Sequence, residues 1–364
     1  MNRAVIVNAK RTPIGKKGGL LQSVEPHELV APILQHLSSG IEGKIDDVIL
    51  GNVVGPGGNV ARLAALEAEL PLTIPGVTID RQCSAGLEAI RMASYFVQGG
   101  AGQCYIAGGV ESTSTSPFPS RARFSPDKIG DPEMGIAAEY VAEKYSVSKK
   151  LQDEYALLSY NRSWEAFEQG YLKDELLPIE GKSQDEELLK KRKMDVLLQR
   201  AQPIFKKNGT VTVANSCGIH DGASAVLVME ETMALNHGFQ PIFRFVDSEV
   251  TSIDPHYPGA APIPAIQALL ARNGLTIAEI DLIEINEAFS SKIVACAKEL
   301  SIPYEKLNVL GGALTLGHPY GASGSMMITR LFYEVQRRAD IQYVLAAMGS
   351  GGGIGSAILF KVVA

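Results

Sequence analysis

The strongest constraint on how this chain folds is that it repeats itself. Residues 44–50 (KIDDVIL) and 279–285 (EIDLIEI) close two similar helix-turn-strand patterns, so that Asp281 falls 235 positions after Asp46. The same offset relates Cys83 to His318 and Gly86 to Gly321. A duplicated unit stacked about a pseudo-twofold axis brings equivalent helix starts together. Here that puts a thiol and an imidazole in one cleft, a nucleophile beside its base.

Strand-like apolar runs alternate with amphipathic helical ones, which favours an α/β architecture. In the first half VTI (77–79) reads as a buried strand, a helix starts near Cys83 and stops at Gly99-Gly100, and YIAGG (105–109) is the next strand. In the second half GASG (321–324) opens a helix and YVLAAMG (343–349) is the strand after it. DGASAVLVM (221–229) and GSAILFKVV (355–363) end the two copies alike. The first copy takes 176 residues from Asp46 to Gly222 and the second 74 from Asp281 to Gly355, so 102 extra residues lie in the first. They fall between AGGVES (107–112) and 221–229 and include the amphipathic stretch 153–172 and the charged stretch 184–195. An insertion of that size is expected to hang over one face as a substrate-binding lobe. The division is then 1–115 with 209–236, an inserted 116–208, and 237–364.

Composition narrows the function. At 364 residues the chain suggests two or three domains. A net charge of −6 and a pI near 5.6 argue against nucleic acid or an anionic membrane surface as partner. The opening MNRAVIVNAKRTPIG reads as a strand entering a loop, without the apolar core or cleavage site of a signal peptide, and no apolar run is long enough to span a bilayer. A cytoplasmic protein is expected. The four cysteines, Cys83, Cys104, Cys217 and Cys296, form no CxxC pair and the six histidines show no metal-ligand spacing, so reduced thiols and no metal are expected.

Cys83, taken alone, would be read as an inert buried cysteine. Its place at a helix start, where the dipole favours a thiolate, and its symmetric histidine favour a nucleophile. His318 lies in GGALTLGHPYGASG (311–324), a glycine- and proline-rich loop that lets backbone approach a ligand closely. INEAF (285–289) follows an apolar strand, where α/β proteins place functional groups, although Asn286 capping a helix is nearly as good an account. GSGGGIG (349–355) is a run of backbone amides suited to an oxyanion or a phosphate. Neither a phosphate-loop nor a dinucleotide fingerprint is present in its structural context. Lys190, Lys191, Arg192 and Lys193 follow Asp185, Glu186 and Glu187 at near-helical spacing, which favours a self-paired solvated face. CGIH (217–220) is a rival thiol–imidazole pair whose place before a buried strand suits a structural role.

Taken together, DRQCSAGLEAI (80–90), AGGVES, MGIAAE (134–139), GTVTVANSCGIHDGASA (209–225), INEAF, NVLGGALTLGHPYGASG (308–324) and GGGIG (351–355) resemble the thiolase family over essentially the whole chain. The resemblance implies a thiolase-like α/β fold: duplicated halves stacked in a five-layer αβαβα arrangement, with an inserted loop domain. It implies action on coenzyme A thioesters, joining two acyl groups or cleaving a 3-ketoacyl thioester, with no further cofactor. Cys83 would be the acylated nucleophile and His318 its base. His318 and a water on Asn286 would bind the thioester oxygen, and the amides of Cys83 and Gly351 the acyl-enzyme oxyanion. Met134, Ala288 and Phe289 would line the pantetheine tunnel, with Cys217 in the serine position of the GTVTxxN segment and Arg192 near the nucleotide end.

One departure stands out. The family's glycine loop opens with a second cysteine that moves the α-carbon proton, and here that position is Gly349. A missing proton-transfer group costs about 10²–10⁴-fold in rate. Acyl transfer to Cys83 is expected to survive, whereas the carbon–carbon step needs a substitute, with Ser350 and Cys217 the nearest by motif. Ser325 replaces the arginine common after GASG, and the short stretch after Ser116 favours a homodimer over a tetramer. The leading expectation is a thiolase-type acyltransferase. Beside it stand an acyl-CoA-binding or thioester-hydrolysing protein without the Claisen step, and a non-catalytic subunit of an acyl-CoA complex.

Overall fold

The computed structural model describes residues 2–118 and 120–363. The first half holds β1 (Ala4–Arg11), β2 (Gly15–Lys16), α1 (Pro26–Ser38), β3 (Asp47–Gly51), α2 (Val60–Glu67), β4 (Gly76–Ile79), α3 (Ala85–Gly99) and β5 (Cys104–Glu111). Next come α4 (Met134–Lys144), α5 (Lys149–Glu168) and α6 (Met194–Arg200), after which β6 (His220–Glu230) and α7 (Glu231–Asn236) complete the half. The second half holds β7 (Phe243–Ser252), α8 (Pro262–Arg272), β8 (Leu282–Ile285), α9 (Ser290–Leu300), α10 (Ala313–Leu316), α11 (Tyr320–Val335), β9 (Tyr343–Ser350) and β10 (Ile354–Val362).

The strands run in the order β4-β3-β5-β6-β1-β7-β10-β9-β8, with β2 on β6. The seam is narrow: β1 and β7 pair only at Val5–Arg244 and Ile6–Phe243. On either side of it the halves repeat one pattern. β3 lies parallel to β5, which is antiparallel to β6; β8 lies parallel to β9, which is antiparallel to β10. The duplication shows even in its capping. Asp46 Oδ2 accepts from the amides of Gln103 and Cys104 at 2.6 and 2.9 Å where β5 begins. Asp281 Oδ2 accepts from Gln342 and Tyr343 at 2.8 and 3.0 Å where β9 begins.

Three apolar layers interleave with the two half-sheets, giving the five-layer order. α1 and α2 cover the outer face of the first half-sheet through Leu29, Ile33, Leu34 and Ala64. α8 and α9 cover the outer face of the second through Ile266, Leu269, Ile293 and Ala297. Between the sheets Leu87, Ile90 and Val97 of α3 meet Ile328, Leu331 and Phe332 of α11. Residues at this helical spacing form one stripe per helix, so a central helix must be apolar on more than one side to face two sheets. α11 meets that demand: Tyr320 and Tyr333 apart, its residues are all buried.

α3 and α11 meet at glycine. A β-carbon on Gly86 would lie 2.5 Å from the carbonyl oxygen of Gly321, one on Gly109 only 1.9 Å from it, and one on Gly324 2.5 Å from the amide of Leu87. Backbone therefore touches backbone where the two helices begin, and any side chain would hold them apart. That contact packs together the starts of the two helices that Cys83 and His318 precede.

The segment between β5 and β6 is moored to both halves by buried polar groups. Arg11, fully buried at the end of β1, bonds Glu175 at 2.6 and 2.8 Å and Asp185 at 2.7 and 2.9 Å. Glu287, after β8, accepts from Tyr155 Oη at 2.6 Å and Ser159 Oγ at 2.7 Å on α5. Buried charges are tolerable only with such pairing. The 184–195 stretch is not one helix. Asp185 is committed to Arg11 and regular α structure begins only at Met194, because the acid is needed inward.

A methyl group is the smallest probe of the glycine contact. The Gly109→Ala variant is expected to lose about 1–3 kcal/mol or more of stability by overpacking, read as a lower urea midpoint at unchanged slope.

Candidate active site

Cys83 does not begin α3; it sits on a tight elbow before it. β4 ends at Ile79, Gln82 takes a positive φ of 51°, and the helix starts at Ala85 with Ser84 as its N-cap. The strained residue turns the chain so that Cys83 faces a cavity of about 400 Å³ shared with Tyr320, Met134, Ile219, Phe118 and Phe124. The thiolate expected from the helix dipole is not the favoured state. Burial pushes the Cys83 thiol up to about 11, with the Lys292 ammonium and a backbone hydrogen bond only partly opposing it. Removal of water around the sulfur outweighs the dipole.

His318 is buried and its tautomer is legible from its neighbours. Ser323 donates its hydroxyl to the carbonyl of Pro319 at 3.0 Å, so it accepts from His318 Nδ1–H at 2.6 Å. The Nε2 lone pair is left to receive Asn286 Nδ2 at 3.4 Å. Burial, reinforced by the charges of Lys292 and His220, lowers His318 to about 3. The resting pair is therefore a neutral thiol and a neutral imidazole with its basic nitrogen on the Asn286 side. His220 supports it from behind: its Nδ1 accepts from the His318 amide at 3.4 Å, and its ring fills the space where Gly317 would carry a β-carbon. The histidine of the CGIH segment thus supports His318.

The glycine run forms the turn between β9 and β10. Gly352 and Gly353 both adopt φ of 79°, which glycine permits. Ser350 Oγ lies 2.6 Å from Ser84 Oγ, so Ser350–Gly351 runs beside Cys83–Ser84. Backbone amides placed side by side in this way can hold an oxyanion. The same contact commits the Ser350 hydroxyl, fully buried, to Ser84. Phe124 covers Gly351, whose β-carbon would fall 2.6 Å from the ring.

Gly349 has no room for a side chain. A β-carbon there would lie 2.2 Å from Pro258 O and 2.9 Å from Pro262 Cδ, so the turn 258–260 fills the volume.

The remaining residues divide into two groups. Cys217 donates its amide to Ala288 O at 3.0 Å, Ser216 bridges to Phe289, and Phe289 meets Phe205 edge-on at 6.3 Å. Phe205 in turn lies on Gly135, next to Met134. Of this chain of contacts, Met134 lines the Cys83 cavity. Arg192 lies apart, in a neighbouring cavity of about 460 Å³ with Tyr160, Leu197, Ser216, Gly218 and His220. Its guanidinium pairs with Glu187, as the self-paired reading of that stretch expects.

Three residues the sequence reading passed over are placed here. Ser323 orients the imidazole, and Glu111 ties Val53, Val54 and Asn52 of one half to Gly321 of the other at 3.0–3.1 Å. Lys292, 2 % exposed on α9, donates to Gly349 O at 3.4 Å. A lone lysine ahead of the apolar run IVACA (293–297) was the available signal for it.

Comparison with known proteins agrees with this architecture. The Thiolase, N-terminal domain family matches residues 4–232 and the Thiolase, C-terminal domain family residues 239–362. The chain is 57% identical over 362 residues to "Putative acetyl-CoA C-acetyltransferase YhfS" of Bacillus subtilis (strain 168), covering 99% of this chain and 100% of that protein. It is 48% identical over 382 residues to "Putative acetyl-CoA C-acetyltransferase VraB" of Staphylococcus aureus (strain MSSA476), covering 99% of each. The crystal structure of the Bacillus anthracis acetyl-CoA acetyltransferase superposes with a TM-score of 0.94 at 36% identity, covering 100% of this chain and 99% of that one. The chain belongs to the thiolase family. Among the described residues, no helix is long and apolar enough to cross a membrane.

A neutral resting thiol has a measurable signature. Alkylation of Cys83 by iodoacetamide is expected to accelerate about tenfold per pH unit between about pH 7 and pH 9, without a plateau, because the reactive thiolate is still a minor species there. The Gly349→Cys variant is expected to lose about 1–3 kcal/mol in urea unfolding and to gain no alkylatable thiol at that position, checked by peptide mapping.

Proposed function

We propose that this protein is an acyl-CoA C-acyltransferase, converting acetyl-CoA and an acyl-CoA to a 3-ketoacyl-CoA and free coenzyme A, and the reverse, through an S-acyl Cys83 intermediate. The observation that carries it is the glycine contact that packs together the two helix starts following Cys83 and His318, with Ser350–Gly351 beside Cys83–Ser84 and the Nε2 of His318 turned to Asn286. Thioester exchange needs these parts and little else: a nucleophile, a base within reach and donors for the developing oxyanion. The names of its relatives point to the same chemistry.

In this reading Cys83 gives its proton to His318 Nε2 as its sulfur attacks the thioester carbonyl. The amides of Cys83 and Gly351 hold the oxyanion, and the imidazolium returns the proton to the departing coenzyme A. A low resting pKa for His318 keeps the ring neutral and ready to accept, and the charge that develops is short-lived. Asn286, with a water, and His318 then receive the thioester oxygen of the second substrate. Met134, Cys217, Ala288 and Phe289 form the wall for its pantetheine arm, and the Arg192 cavity lies toward its nucleotide. The working form is a cytoplasmic homodimer that takes no cofactor beyond its thioester substrates.

Intact-mass measurement after incubation with acetyl-CoA tests this directly. One acetyl group should appear on Cys83, vanish in Cys83→Ala, and form about 10²–10⁴-fold more slowly in His318→Ala, while acetoacetyl-CoA thiolysis should accompany it in the unaltered protein. An unmodified protein would overturn the proposal. Acylation without thiolysis would leave acyl-CoA binding or hydrolysis instead.

A further inference from the structure

The carbon–carbon step needs a group to move the α-proton, and the position of the family's second thiol is empty of side chain. Ser350 is bonded to Ser84 and fully buried, and Gly349 has its side-chain volume filled by Pro258. At the same spot stands a residue that no structural demand explains. Lys292 is 2 % exposed, its amine makes one long contact, 3.4 Å to Gly349 O, and its stem packs under the 258–260 turn, where a β-carbon on Gly259 would lie 3.2 Å from Lys292 Cβ. An ammonium has three donors, and burying one behind a single marginal hydrogen bond is costly unless function requires it. Among the described residues no carboxylate pairs with its amine. The groups that raise its pKa against the lowering by burial are thiols, Cys296, Cys83 and Cys217. Its field in turn reaches both members of the nucleophile–base pair, lowering Cys83 and His318. The amine reaches β9 at Gly349, one residue before the Ser350 that is bonded to Ser84 beside Cys83, so it approaches the reacting centre from the β9 side.

We propose that Lys292 is the proton-transfer residue of the carbon–carbon step, standing in for the thiol that Gly349 cannot supply. This rests on the acyltransferase reading above. With Cys83 acylated, the neutral amine of Lys292 takes a proton from the α-carbon of the second acyl-CoA. The C–H electron pair forms the new bond to the acyl carbonyl carbon, and the C–S bond to Cys83 breaks with its electrons left on sulfur. The ammonium of Lys292 then faces the Cys83 thiolate, and the proton passes to it to restore the neutral pair. In the cleaving direction each transfer reverses: the amine takes the Cys83 proton and the ammonium delivers it to the α-carbon released when the carbon–carbon bond breaks. Burial lowers the pKa of Lys292 from the ordinary lysine range, which favours the free amine that this chemistry uses.

The test compares the unaltered protein with Lys292→Met and Lys292→Ala in three assays. These are acetylation of Cys83 by acetyl-CoA, thiolysis of acetoacetyl-CoA, and exchange of acetyl-CoA methyl protons for deuterium in heavy water. Both variants are expected to acetylate Cys83 within about tenfold of the normal rate, which also shows that they fold, while thiolysis and exchange fall about 10²–10⁴-fold. Added methylamine is expected to restore thiolysis in Lys292→Ala and not in Lys292→Met, whose side chain fills the space. Variants that cleave acetoacetyl-CoA at the normal rate would overturn the proposal, as would variants that lose acetylation along with thiolysis. If the unaltered protein acetylates Cys83 but neither cleaves nor exchanges, the acyltransferase reading itself fails, and no role in a carbon–carbon step remains for Lys292.

Discussion

The architecture depends on one contact between two pieces of bare backbone. Where α3 and α11 begin, Gly86 and Gly109 on one side press against Gly321 on the other, with no space for a β-carbon. Packing in a protein interior is dense enough that such a contact fixes position to a fraction of an ångström. Glu111 locks it, accepting hydrogen bonds from Val53 and Val54 of the first half and from Gly321 of the second. Burial raises this carboxyl to about 8, with the lowering by its amide donors only partly opposing it. The elbow at Gln82, the imidazole loop and the turn after β9 all take their places from this junction.

The electrostatics of the centre follow from its dryness. Without bulk water, charge separation between a thiol and an imidazole is unfavourable until a substrate arrives to share it. The site therefore rests neutral, with Cys83 high and His318 low, and its polarity is stored in fixed dipoles: the Gly351 and Cys83 amides, the Asn286 amide group and the Ser323 hydroxyl. Fixed dipoles need no reorganisation when charge develops, which is the advantage of building the site from loops clamped between rigid layers.

Much of this was legible in the residues. The 235-residue offset located both halves, and the paired aspartates show why: Asp46 and Asp281 cap equivalent strands, so the repeat is kept by a local hydrogen-bonding need. Strand limits read from apolar runs agree with β4, β5, β6, β9 and β10 to within a few residues. The failures have physical reasons. The helix dipole at Cys83 was visible in the pattern, but the desolvation that outweighs it is a property of the assembled cavity. The charged stretch 184–195 reads as helical because spacing cannot reveal that Asp185 is claimed by Arg11 from β1. Ser323 and Lys292 act through partners distant in sequence or hidden on a turn, and only the packed structure shows which way they face.

Glu287 and Asn286 are adjacent in the chain but serve opposite masters. Glu287 reaches outward to Tyr155 and Ser159 on α5, while Asn286 reaches inward to the imidazole. A peptide unit spans only a few ångströms and bends little, so a single link of the chain is anchored to α5 on one side and to the imidazole on the other.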